Sequence, residues 1–382
     1  MKRVYFALQF IVLFVMICAC TPPLPSSLSG QLPPSPTPLP PAATSPACEP
    51  LASKCPTWSP AAPASASRIT TANVDKLSAP VELSDFPVYG ISWSSDGKRV
   101  ALTGPAGIVV YATDPWQLLL AIDMQGYPTF GLALSPDGKT LAYSPGHNPL
   151  VHVEHVVHLV DVDSRRERIA LQGHEKTIWH IAFSNDGSRL ATNSDDYQIW
   201  IWDVQSGAVV KKFTDQPAQA ALTFSPDGKS LLVQPLTGLP FVLDLQREAP
   251  LWTVGEAPND FGVHPFSSAF SPDGHTIITG GDDHLIRLWN VASRKKVGEL
   301  MAHDDSVDGI ASAPDGELFV SASRDGTIKL WDAATNKLIT TLIWENSSKM
   351  MTASNVMFSP DGRYLVAGIG PNPMLRVWGI EP

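Results

Sequence analysis

One short pattern, repeated seven times, constrains this chain more than anything else in its 382 residues. A serine (once an alanine), one variable residue and then Asp-Gly recur at Ser94–Gly97, Ser135–Gly138, Ser184–Gly187, Ser225–Gly228, Ser271–Gly274, Ala313–Gly316 and Ser359–Gly362. The glycines are 41, 49, 41, 46, 42 and 46 residues apart. Asp-Gly between two short apolar runs is a hairpin turn in which the glycine takes positive φ. Self-similarity at this period means a repeat architecture, each repeat being one supersecondary unit that must bury its apolar face on a neighbour. Hydrophobic residues make up 44% of the chain, enough for a sizeable core.

Each turn is preceded by a short alternating run, as in Ile181-Ala182-Phe183, and followed by another, as in Arg189-Leu190-Ala191-Thr192. A third run comes after a second tight turn and ends in an aromatic or aliphatic residue. Those endings are Tyr111, Val160, Trp202, Leu243, Trp289, Trp331 and Trp378. Period-2 runs of about five residues with no helical pattern predict an all-β protein.

From Ala79 to Pro382 these residues resemble the WD-repeat family. The resemblance implies a seven-bladed β-propeller of four-stranded antiparallel blades. It also implies a His–Ser–Asp–Trp hydrogen-bond network, which falls on His174, Ser194, Asp196 and Trp202 in the third repeat. In the sixth it falls on His303, Ser323, Asp325 and Trp331. The fifth keeps Asp283 and Trp289 but has Phe261 at the histidine position, and the first, second and fourth lack the Trp. Four residues follow Trp378, too few for an outer strand, so Ala79–Leu83 is expected to supply it and close the ring.

The chain begins differently. Lys2 and Arg3 precede an apolar run from Val4 to Ala19, the layout of a secretory signal and shorter than a comfortable membrane span. Ile17-Cys18-Ala19-Cys20 resembles a bacterial lipobox, which implies acylation of Cys20. An uncleaved anchor helix or a plain signal peptide is the alternative. Residues 21–68 hold fourteen prolines and three charged residues, a composition that reads as a semi-extended spacer. The expected organisation is therefore a signal peptide at 1–20, a Pro-rich extracytoplasmic stalk at 21–68 and the propeller at 69–382. Two cysteines remain, Cys48 and Cys55, and in an exported chain a disulfide between them is the simplest reading. A two-thiol metal site is the alternative, with no further ligand close by.

The net charge is −10, with 37 acidic and 27 basic residues and no run of like charge. That balance argues against nucleic acid as a partner and reads as a solubility feature. There is no G-x-S-x-G elbow, Walker loop or dinucleotide-binding glycine motif. His174, Glu175 and His180 lack zinc-motif spacing, and the family network already accounts for His174. The second repeat carries His147, His152, His155 and His158. His152, Glu154 and His158 share a strand face but are widely spaced, which favours a polar hairpin over a metal site. No cofactor is implied.

One set of positions bears on function. The starts of the innermost strands are Tyr89, Phe130, Trp179, Ala220, Phe266, Asp308 and Ser354. In the family such positions ring the channel mouth on the narrow face that engages partners. Tyr89, Phe130, Trp179 and Phe266 are aromatic, the residue class that dominates binding hot spots. Packing between blades is the competing explanation. The leading expectation is a non-catalytic platform that binds a protein or peptide at this face and is held at a membrane by its lipid. The alternatives are an extracytoplasmic propeller enzyme of hydrolase or lactonase type, for which the mouth offers only Asp308, and an envelope assembly factor.

Overall fold

The computed structural model describes residues 67–77, 81–83, 88–104, 107–124, 129–146, 155–247, 250–255, 265–343, 353–369 and 374–380. All belong to the second of the chain's two units, Pro46–Pro382. Cys20, Cys48 and Cys55 lie outside the described residues, as do Phe261, His147, His152 and Glu154.

Twenty-eight strands form seven four-stranded antiparallel sheets arranged as a β-propeller. Within each blade the strands are called a to d, from first to last in the sheet. Blade 3, for example, comprises Ile178–Phe183, Arg189–Ser194, Gln198–Asp203 and Val209–Phe213. Blade 7 is built from Ala353–Phe358, Tyr364–Ile369 and Met374–Gly379, and its fourth strand is Val81–Leu83. Val81, Glu82 and Leu83 pair with Val377, Arg376 and Leu375. The ring is thus closed by a strand that precedes the first repeat, as expected for Ala79–Leu83.

The seven Asp-Gly turns form the a–b hairpins. Ser94 shows the chemistry: its Oγ donates to Asp96 Oδ1 at 2.7 Å, and the amides of Lys98 and Arg99 close on Asp96 and Ser94. Gly97 takes φ +69°, and a Cβ there would lie 2.7 Å from Asp361 Cγ of the neighbouring blade. Glycine is required at this turn by conformation and by space.

Seven apolar clusters hold the ring, one between each pair of adjacent blades. Val100, Leu102 and Tyr111 of blade 1 meet Val366 and Val377 of blade 7 across the closing seam. The seam between blades 6 and 7 has an added member that the sequence reading assigned to no element. Ile69 and Val74, each 1% exposed, pack into it from a segment that precedes the closing strand. Ser67 and Leu77 both bridge Ile380, and the Ile69 amide donates to Gly362 O at 2.8 Å. Among the described residues, contacts with the propeller therefore reach back to Ser67. Proline richness hides this strap because only two apolar residues anchor it.

Candidate functional site

In blades 3, 4 and 6, strand a starts where the b–c turn and the loop from the preceding blade come together; the corresponding end of the propeller is called the loop end. At five of the seven nominated positions the ladder between strands a and b breaks register. The interrupted residues are Phe130, Trp179, Phe266, Asp308 and Ser354. A β-bulge leaves one residue out of the ladder and re-aims its side chain, a device frequent beside functional sites. The structure thus brings these residues to one equivalent place in five of the seven blades. Tyr89 and Ala220 lie just ahead of their strands, with Tyr89 N donating to Thr103 O and Ala220 N to Asn193 Oδ1. Tyr89 is 37% exposed and Trp179 is half-buried.

Blade 3 carries the richest surface at this end. A cavity of about 630 Å³ opens between residues 196–198 and 214–217. Tyr197 stands in it 57% exposed, with Lys176 Nζ 5.8 Å from its ring centroid. Its φ is +62°, where blade 6 has Gly326 at φ +84°. Asp215, at φ +57°, lines the same cavity. A bulky residue held in the left-handed region while its ring remains in water contributes nothing to the core.

The network beneath this surface differs in one member from the family expectation. His174 Nδ1 meets Asp196 Oδ2 at 2.7 Å, and its Nε2 meets Thr192 Oγ1 at 2.8 Å. Trp202 Nε1 donates to that same Thr192 oxygen at 2.9 Å. In blade 6 the linking hydroxyl is Ser321, 2.7 Å from His303 Nε2 and 2.9 Å from Trp331 Nε1. Ser194 and Ser323 sit two residues later on the same strand face. They secure the aspartate turns instead, each accepting the amide of Asp196 or Asp325. Both His174 nitrogens are engaged within the blade, which leaves none for a metal. Blade 5 compensates for its lost histidine by pairing Asp283 with Arg287, and Trp289 Nε1 still reaches Thr279 Oγ1 at 3.0 Å.

Electrostatics tie the fold to pH. Burial of Asp325 pushes its pKa up, but hydrogen bonds with His303, Thr327 and the Asp304 amide win and hold it well below the carboxylate range. Burial lowers His180 to about 4, and its Nδ1 accepts the Leu222 amide across the blade 3–4 seam at 3.2 Å. A histidine with a depressed folded pKa stabilises fully above its unfolded pKa near 6.5, and that contribution fades as pH falls toward 4. The loss is at most about 3 kcal/mol, an upper bound because the residue keeps some exposed surface. The melting temperature is expected to fall between pH 6.5 and 4, and His180→Gln to flatten that part of the profile. An unchanged slope in the variant would assign the acid sensitivity to other groups.

Three segments, 165–203, 259–290 and 294–332, match the family model described as "WD domain, G-beta repeat". These three segments are similar to WD repeats. The matched segments end at Trp202-Asp203, Trp289-Asn290 and Trp331-Asp332, in three blades where the Trp indole donates to a threonine or serine hydroxyl. Curated proteins with similar stretches include Eukaryotic translation initiation factor 3 subunit I of Scheffersomyces stipitis, 30% identical over 37% of this chain and 44% of that protein. WD repeat and SOCS box-containing protein 1 of Takifugu rubripes is 32% identical over 29% of this chain and 26% of its own length. Guanine nucleotide-binding protein subunit beta of Solanum tuberosum is 26% identical over 36% and 37%. The chain spans less than half the length of these relatives.

Proposed function

We propose that this protein is a non-catalytic interaction platform that binds a protein or peptide at its loop end, displayed outside the cytoplasm on a lipid-anchored stalk. The observation that carries the reading is the coincidence of five of the seven innermost-strand starts with β-bulges, which gives five blades one equivalent recognition position. Tyr89, Trp179 and Tyr197 add aromatic surface there at low entropic cost. Phe130 and Phe266 occupy the same bulge positions. An enzyme needs groups free to act on a substrate, whereas Asp308 at the mouth is held by Arg324 at 2.7 Å. Partner capture from intact cells by cross-linking, compared with melting curves, tests the face. Trp179→Ala and Phe130→Ala are expected to weaken capture by roughly thirty-fold with little change in melting. Loss of folding without selective loss of binding would reassign these residues to the core.

The anchor rests on Lys2, Arg3, the apolar run and Cys20, and the disulfide on Cys48 and Cys55. Each buried lipid CH₂ contributes about 0.8 kcal/mol, so two acyl chains hold firmly and none releases the chain. Cys20→Ser is expected to remain unprocessed or to turn soluble, and fatty-acid labelling to disappear. Unaltered membrane partitioning and mobility of the variant would remove the anchor from the account.

A further inference from the structure

Among the described residues, negative charge without a matching number of cations is concentrated at one end of the propeller. At the loop end Glu175, Asp215, Asp304 and Asp305 are exposed, and none joins an ion pair among the described residues. The cations beside them are already engaged, Lys176 over Tyr197 and Arg324 with Asp308. The opposite end differs. Its turns expose Lys98, Lys139, Arg165, Lys229, Arg294 and Lys337. The turn carboxylates there are tied down locally, as Asp96 is by Ser94 and the Lys98 amide.

A second observation is independent of this distribution. Asp308 sits on its bulge with a side chain 7% exposed, and its Oδ2 is held by Arg324 from the b–c turn. Its other oxygen, Oδ1, is buried with no hydrogen-bond partner. A buried carboxylate oxygen without a donor is costly, and an incoming donor removes the penalty. Because Arg324 belongs to the loop-end turn, the carboxylate is drawn toward that end, beside Asp305.

We infer that the partner of the loop end is a cationic polypeptide segment rich in Lys and Arg. One basic side chain lies over Tyr197 and against Asp215 in the blade 3 cavity, and a second donates to Asp308 Oδ1. Tyr197 is suited to the first contact, since its ring already faces one ammonium and remains 57% exposed. The field of the unpaired carboxylates steers a basic chain to this end and disfavours an acidic one.

The inference rests on the reading that the loop end is the binding face, and the experiment separates the two. Fluorescein-labelled decalysine and decaglutamate are titrated with the full-length protein, and anisotropy is followed at low and raised salt. Decalysine is expected to bind, more weakly as salt rises, and decaglutamate not to bind. The double variant Asp215→Asn/Asp304→Asn is expected to weaken decalysine binding about threefold to tenfold. Asn tolerates the left-handed φ at 215, so the fold is kept. Asp163→Asn/Glu317→Gln changes the charge equally at the opposite end and is expected to shift binding by less than about twofold. Asp308→Asn, which preserves the side-chain size, is expected to weaken binding with the melting curve intact. Equal loss in both double variants, no loss in the loop-end variants, or capture of decaglutamate would overturn the inference. If Trp179→Ala still loses its cellular partner in that case, the face stands and only the cationic partner falls.

Discussion

Trp202→Ala and Trp331→Ala are each expected to destabilise the propeller by about 3–5 kcal/mol, the range for truncating a large aromatic in a core. Trp202 is 2% exposed and packs 5.1 Å from Trp200, ring centre to ring centre. Trp331 is 5% exposed and stacks on Phe319 at 5.9 Å. Each truncation opens a cavity between blades and removes the indole donor from Thr192 or Ser321. Trp→Phe at the same positions keeps most of the volume and loses chiefly the hydrogen bond, about 1 kcal/mol. Urea midpoints give the comparison. Tyr197→Ala, which empties no core, is expected to stay within about 0.5 kcal/mol of the parent. A loss at Tyr197 as large as at the two tryptophans would contradict the packing described for blades 3 and 6.

The second large effect is expected far from any recognisable repeat. Ile69→Ala should cost about 2–5 kcal/mol, because the side chain is fully enclosed in the seam between blades 6 and 7. The segment from Ser67 to Leu77 bridges Ile380 at both of its ends, and the closing strand Val81–Leu83 follows it directly. Loosening the strap therefore loosens the strand that closes the ring. Denaturant unfolding of Ile69→Ala tests this, and a change no larger than that of an exposed substitution would show that the closing strand holds without the strap.

The repeat period made the blades legible, because each Asp-Gly turn leaves a local chemical trace in Ser, Asp and Gly. Ring closure was legible for a different reason: a short apolar run, Ala79–Leu83, stands ahead of the first repeat and belongs to no other blade. The bulge ring followed from counting back from each turn, since strand a has nearly constant length. What stayed hidden required tertiary information. Thr192 and Ser194 both carry hydroxyls on one strand face, and only the packed blade shows that Thr192 lies between His174 and Trp202. Ile69 and Val74 show no periodicity and stand next to a proline-rich stretch. Arg287 replaces a missing histidine from four residues along the chain, which no motif describes. The shortage of cations at the loop end was invisible in a net charge of −10, because turns at opposite ends alternate in the sequence.

The central claim, that partners bind at the loop end, is tested most directly by photo-cross-linking in intact cells. A benzophenone amino acid is placed at position 179 in one chain and at position 139, in the a–b turn of blade 2, in another. The account predicts a discrete protein adduct from position 179 and none from position 139. An adduct from position 139 alone, or equal adducts from both, would contradict it.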